Sequence, residues 1–122
     1  MRILKIEPGK LPQAKLIDNT LESMQAEVDG LIEVIPVGAG ICIVCNEEGK
    51  LNGMQPNRWL GDDIICGPFF CVADDGKGGF KSLNYTQLKM AQKHFSVIDV
   101  FTGNEPQLEP RIDFVELEDD DE

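Results

Sequence analysis

The residues best able to do chemistry in this sequence lie between two apolar stretches: Asn46, Lys50, Asn57, Arg58 and Trp59. The Arg58 guanidinium is a planar fork of donors that matches a phosphate or a carboxylate, and an asparagine amide can bind an amide or a base edge. Loops held between apolar strands are where rigid scaffolds place recognition groups. The segment predicts a binding site for a small anion, with Trp59 as a stacking face. The alternative is that Asn57 and Arg58 cap and fasten a long loop while Trp59 lies in the core.

The four cysteines form two spaced pairs, Cys42 with Cys45 and Cys66 with Cys71. Paired cysteines bind zinc when a tight turn brings both sulfurs to one point. Residues 41–45 have the pattern of a strand, however, and alternation along a strand places positions 42 and 45 on opposite faces. We therefore predict buried, reduced thiols, with neither a metal site nor a disulfide.

Patterns typical of enzymes are weak in this chain. The one histidine, His94, follows Lys93 near the predicted end of a helix, where a cation suits the helix dipole. The adjacent acids Asp62 and Asp63 are typical of turns. The glycine-rich stretch 76–79 lacks the spacing of a phosphate-binding Walker loop. The sequence predicts a non-enzymatic protein without catalytic residues or a cofactor.

The charge of the chain is strongly acidic. Its 122 residues hold 22 Asp and Glu against 11 Lys and Arg, a formal charge of −11 at pH 7, and six of the acids lie within residues 116–122. Like charges repel, so this balance argues against direct binding to nucleic acid or to an anionic membrane. No apolar run approaches the roughly 18–20 residues needed to span a bilayer, and the first residues lack the apolar core of a secretion signal. We expect a cytoplasmic protein.

The elements that must position these residues follow from hydrophobic periodicity. Alternating and β-branched patterns predict strands over residues 2–7, 14–18, 31–37, 41–45, 64–73 and 97–101. Gly67-Pro68 interrupts the fifth, which implies a bulge, a bend or an edge position there. Helical spacing predicts one helix over residues 20–29, with Asn19 as its N-cap. A second helix is predicted from Asn84, where Gln87 completes a capping box and Tyr85 starts the apolar stripe.

One domain is expected, because single cores usually hold about 100–200 residues. The order of elements predicts an α+β domain over residues 1–115, with a mostly antiparallel sheet and both short helices packed on one face. An irregular acidic tail, residues 116–122, is expected to follow it.

Five motifs together resemble a family catalogued as a domain of unknown function. They are EPGK at 7–10, DNTLESMQ at 18–25, VCNEEGKL at 44–51, PNR at 56–58 and GPFF at 67–70. The resemblance extends over about residues 1–95. It implies an accessory protein of phages and mobile elements of Gram-positive bacteria, often encoded among anti-restriction and other anti-defence genes. It implies neither catalytic residues nor a cofactor.

Two functional hypotheses follow from the loop, the charge and this resemblance. In the first, the protein binds and sequesters a small anionic nucleotide-type signal of a bacterial defence system, in a pocket that a homo-oligomer would share. In the second, it is an acidic inhibitor that imitates DNA and binds a basic host defence or restriction protein. The first is preferred because about half of the charge excess lies in a tail that the resemblance does not cover.

Overall fold

The computed structural model describes residues 1–110, so the predicted tail, residues 116–122, lies outside the described residues. The described chain forms eight strands and two α-helices. In chain order they are β1 (Arg2–Ile6), β2 (Gln13–Leu16), α1 (Leu21–Val28), β3 (Ile32–Gly38), β4 (Ile41–Asn46), β5 (Pro56–Leu60), β6 (Asp63–Cys66), β7 (Phe69–Asp74), β8 (Phe80–Lys81) and α2 (Tyr85–Phe95). A short 3-10 turn at Pro106–Leu108 follows.

The main sheet is antiparallel throughout and has the strand order β2-β1-β7-β4-β3, with β8 paired to the end of β7. Strands β5 and β6 form a separate antiparallel hairpin. The predicted α+β class with a mostly antiparallel sheet is confirmed. The two outermost strands of the main sheet are β2 and β3.

Both faces of the main sheet are covered. Odd and even positions of a strand point to opposite faces, and β4 and β7 are apolar at both, so each face needs a covering layer. Helix α1 packs Met24 and Val28 on one face, over a cluster that includes Cys42, Val44, Phe70 and Val72. Helix α2 and the β5–β6 hairpin cover the opposite face, over a cluster that includes Ile41, Ile43, Phe69, Cys71 and Phe95. The prediction that both helices pack on one face is therefore wrong.

The two helix starts differ in how well local rules predict them. Helix α2 begins at the predicted capping box, in which Asn84 and Gln87 bond each other's backbone N–H groups at 2.7 and 2.9 Å. Helix α1 is capped by Thr20, whose hydroxyl accepts from Ser23 N–H at 3.1 Å. The predicted cap, Asn19, instead donates its amide to the backbone oxygen of Phe80 at 2.9 Å, so a tertiary acceptor overrides the local one.

Three further differences from the predicted elements concern the second half of the chain. The stretch predicted as one strand, residues 64–73, is two strands: Gly67, with a φ of 89°, separates β6 from β7, and of the three alternatives for this position the chain adopts the bend. The predicted strand at 97–101 is wrong, since those residues follow an irregular path on which the Asp99 carboxylate accepts from Trp59 N–H at 2.9 Å. Tyr85 is 73% exposed and lies off the apolar stripe of α2. Within residues 1–110, neither helix is long and apolar enough to cross a bilayer.

Candidate functional site

Arg58, the centre of the predicted anion site, is 1% exposed. Its Nε and Nη2 both donate to the Phe95 backbone oxygen at 3.3 Å, and Nη2 also donates to the Lys10 oxygen at 2.6 Å. Its Nη1 donates to the backbone and side-chain oxygens of Asn57 at 3.1 and 2.9 Å. Burial lowers the pKa of Arg58, and nearby Asp99 opposes that shift. The prediction that this guanidinium faces an outside anion is wrong, because oxygens of the protein itself surround it.

Asn57 is buried beside Arg58 because β5 carries a bulge. The register of β5 against β6 shifts between Pro56 and Arg58, so two successive side chains turn inward, which regular alternation forbids. The Asn57 amide donates to the backbone oxygens of Ile6 at 3.0 Å and Gly67 at 2.9 Å. These contacts agree with the alternative interpretation, in which Asn57 and Arg58 fasten the chain. They join β5 to β1, to the segment that follows β1 and to the end of α2.

Of the other three predicted residues, Asn46 and Lys50 line one groove and Trp59 does not. Asn46 is 6% exposed and donates its amide to the backbone oxygens of Val28 and Asp29 at 3.0 and 3.2 Å, which closes the end of α1. Lys50 forms an ion pair with Asp63 at 2.5 Å. Trp59 is half-buried, with its ring 6.1 Å from that of Phe101. The five residues therefore do not converge on one binding site.

Carboxylates converge instead on a groove between β3–β4 and the β5–β6 hairpin, of about 290 Å³. We call it the acidic groove. Its floor includes Ile35, Cys45, Ile64 and Ile65, and its charged lining residues are Glu33, Glu47, Glu48, Lys50 and Asp63. A neighbouring depression of about 310 Å³ shares Lys50 and Asp63 and adds Asp62 and Glu109. The lining residues of the acidic groove that the structure describes thus include four carboxylates and one cation, Lys50, which is already paired with Asp63.

Sequence reasoning missed this groove because it treated its acids separately. Glu47 and Glu48 follow β4, and Asp62 and Asp63 lie at the turn of the β5–β6 hairpin, so each pair has the local pattern of a turn. Their approach depends on where the hairpin lies against the main sheet, which no local pattern encodes. The sequence feature that could have indicated an acidic groove is the excess of acidic over basic residues.

A second charged cluster joins α1 to the β1–β2 hairpin. Glu27 accepts from Lys5 and from Lys15, both at 2.8 Å, and its side chain is only 10% exposed. Burial raises the pKa of Glu27, but the hydrogen bonds from Lys15 and Lys5, with the attraction of their charges, outweigh it and hold the pKa below its ordinary value. The ionised form of Glu27 therefore stabilises the fold.

Replacing Glu27 by Gln should lower the stability at pH 7 by about 1–2 kcal/mol, since two lysines lose a charged acceptor. A carboxyl group whose pKa is lower in the folded chain than in the unfolded chain stabilises the fold above its unfolded pKa of about 4.3. This stabilisation is lost as the pH falls through the lower, folded pKa, so the difference in free energy of unfolding between wild type and Glu27→Gln should shrink below about pH 4. Urea unfolding at pH 7 and pH 3 measures this difference in stability, with Glu22→Gln at an exposed position as control. A difference that does not change with pH would contradict the stabilising role of ionised Glu27.

The four cysteines are buried and free. Cys42 lies on the α1 side of the sheet and Cys45 on the opposite side, as predicted from strand alternation. Burial raises the pKa of all four thiols, to about 12 for Cys45 and Cys71, and Glu33 adds to the shift at Cys45. No three His, Cys, Asp or Glu side chains within residues 1–110 are arranged to hold a metal ion. His94 is exposed, 4.7 Å from the Phe95 ring.

All four thiols should resist alkylation in the folded protein. The thiolate is the reactive form, and both burial and a raised pKa suppress it. At pH 8 we expect iodoacetamide to modify the native chain at least about a hundredfold more slowly than the chain in 6 M guanidinium, by intact mass. Fast modification of any one thiol in the native chain would contradict the structure at that strand.

The family of this chain is established by its match to a family model. The chain belongs to the family described as Domain of unknown function (DUF3846), whose model matches residues 1–96. The match includes every strand and both helices described above. Comparison with curated proteins and with solved structures gives no significant match.

Proposed function

We propose that this protein acts without catalysis, by binding a basic surface of another protein through the acidic groove. The observation that carries this proposal is the lining of the groove, where Glu33, Glu47, Glu48 and Asp63 line the same groove as Lys50. Clustered charge of one sign attracts and orients a partner of the opposite sign. The apolar floor would accept an apolar side chain of that partner.

A small anionic ligand is less well supported by the same residues. Both cations of the predicted loop are engaged: Arg58 by backbone oxygens and Lys50 by Asp63. An anion entering the acidic groove would meet carboxylates, which repel it. Sequestration of a nucleotide-type signal is therefore the competing outcome of the test below.

The resemblance to phage and mobile-element proteins supports a choice of partner. A host defence or restriction factor that handles DNA carries a basic surface, and an acidic protein that occupies this surface blocks it. Residues 1–110 hold 15 acids against 10 bases, and residues 116–122 add six more acids. We infer that the protein is an acidic accessory inhibitor acting in the host cytoplasm, with the groove giving specificity and the remaining charge accelerating association.

Native mass spectrometry of the tagged full chain, purified from bacterial cells at low salt, tests this proposal. We expect a co-purifying protein of basic isoelectric point that is released as salt rises from roughly 50 to 500 mM, because exposed charges are screened over that range. The double variant Glu47→Lys/Glu48→Lys should lose the partner. The matched control, Asp18→Lys/Glu22→Lys, makes the same change in net charge near α1, on the opposite face, and should retain most of it.

Two results would overturn the proposal. A small-molecule adduct in place of a protein would favour sequestration. Equal loss of the partner in both double variants would show that net charge, rather than the groove, is recognised.

A further inference from the structure

Within residues 1–110, the outer edge of β3 is unpaired. Strand β3 ends the main sheet, and among residues 1–110 no strand pairs with its outer side. Proteins usually blunt such edges with short strands, lysine, proline or bulges. The opposite edge strand, β2, has four residues and Lys15, and the last part of β3 has Pro36 and a bulge between Pro36 and Gly38. The first part of β3, residues 32–35, has none of these devices and exposes Val34 by 40%. An edge of this kind is suited to pairing with another strand.

The register of β3 identifies which backbone groups point outward. Glu47 N–H donates to the Leu31 oxygen at 2.8 Å, and the same register places Glu33 opposite Cys45 and Ile35 opposite Ile43. Antiparallel pairs alternate between bonded and non-bonded positions, so the residues between these, 32 and 34, direct N–H and C=O away from β4. Pro36 occupies the next outward position, where its missing N–H costs the β3–β4 ladder nothing but offers no donor to an added strand, so the outward N–H groups of this part of β3 are those of residues 32 and 34.

The two faces of this edge differ in chemistry. Glu33 and Ile35 line the acidic groove on one face. Val34 lies on the other face, on which Ile32 packs against the α1 cluster. A strand added beside β3 would therefore place alternate side chains next to carboxylates and next to apolar groups.

We propose that the outer edge of β3 binds an extended segment of the partner protein as an additional strand, with Lys or Arg facing the acidic groove and apolar residues on the opposite face. This inference rests on the proposed function and specifies the form of the partner. Backbone bonds to residues 32 and 34 would supply affinity, and the alternation of side chains would supply specificity. A second copy of the chain is disfavoured, because two copies of charge −11 repel each other, and antiparallel pairing of two β3 strands centred on residue 33 would place two Glu33 side chains directly opposite each other.

Fluorescence anisotropy with the purified full chain and a labelled twelve-residue peptide tests this inference. The probe alternates lysine with valine, and its control has the same composition with lysines and valines in separate blocks. We expect the alternating peptide to bind at least about tenfold more tightly, because only it matches both faces of β3. Val34→Pro removes an outward N–H without breaking a bond to β4 and should weaken binding about tenfold, whereas Val34→Thr keeps that N–H and should stay within about threefold.

A second probe keeps the test independent of the stability of Val34→Pro. Two versions of the alternating peptide are N-methylated, one on all odd residues and one on all even residues, so that each version lacks the N–H groups along one edge of the peptide strand. One version should no longer bind the wild-type chain and the other should still bind it. Equal binding of both versions would overturn strand addition.

The outcomes separate this inference from the proposed function. If Glu33→Lys/Glu47→Lys abolishes binding while Val34→Pro and both N-methylated peptides bind normally, the groove is the site but β3 does not add a strand. If none of these changes matters, the site itself is wrong. A dimer in light scattering that Val34→Pro dissociates would make a second copy the occupant and overturn the inference.

Discussion

Replacing Arg58 by alanine should lower the free energy of unfolding by about 3–5 kcal/mol, enough to unfold many domains of this size. The guanidinium donates to oxygens of Lys10, Asn57 and Phe95, and its removal takes the donor from two buried acceptors, on Asn57 and Phe95, and from one partly buried acceptor on Lys10. Each buried polar group left unsatisfied costs about 1–3 kcal/mol. Lysine should not rescue the variant, because one ammonium cannot replace a planar fork that reaches three segments.

Urea unfolding at pH 7 measures this effect, with circular dichroism and the fluorescence of Trp59, the one tryptophan in the chain, as signals. The matched control is Arg2→Ala, which removes an exposed arginine and should change stability by no more than about 0.5 kcal/mol. A loss below about 1 kcal/mol in Arg58→Ala would show that the guanidinium is not held as described.

Replacing Asn57 by alanine should cost about 2–4 kcal/mol. Its amide satisfies the backbone oxygens of Ile6 and Gly67, and its own oxygen accepts from Arg58. The change therefore leaves donors and acceptors of three segments unpaired, and it also removes the side chain that the bulge in β5 turns inward.

A double-mutant cycle with Arg58→Ala measures how far the two residues act together. Because they are hydrogen-bonded to each other, the two losses should fall short of additivity by about 1–2 kcal/mol. Asn52→Ala, at an exposed position of the preceding loop, is the control and should be nearly neutral. Additive losses would indicate that the two side chains stabilise the fold independently.

These two variants bear on any search for a ligand. Loss of binding on replacing Arg58 would ordinarily suggest a ligand contact. Here the same change is expected to break the hydrogen bonds that hold β5 against the segment that follows β1 and against the end of α2. Binding experiments should therefore use exposed positions such as Glu47 and Glu48, whose replacement leaves the core intact.

Local chemistry accounts for the parts of the fold that the sequence predicts well. The Asn84–Gln87 capping box needs only four consecutive residues, and it is present as predicted. The turn between β3 and β4 is similar: Gly38 and Gly40 adopt positive φ, and even Ala39 does so at 57°. In each case the determining contacts lie within a few residues of each other along the chain.

The errors arise where distant segments compete for a side chain. Arg58 and Asn57 lie in a polar stretch that resembles an exposed loop, and their acceptors come from Lys10, Phe95 and Ile6, which no local pattern brings near. Apolar residues at both odd and even positions of β4 and β7 were visible in the sequence, and they would have predicted a sheet covered on both faces.

The position of β7 in the sheet also has a consequence for the order in which the chain can fold during synthesis. Strand β7 lies between β1 and β4. Strand β1 is synthesised first, but it can pair with its inner neighbour only after residues 69–74 have been synthesised. The β1–β2 and β3–β4 hairpins can form early, but they remain two separate halves with apolar surfaces exposed to the ribosome and to chaperones until β7 joins them. Such distant pairing predicts folding in milliseconds to seconds rather than microseconds.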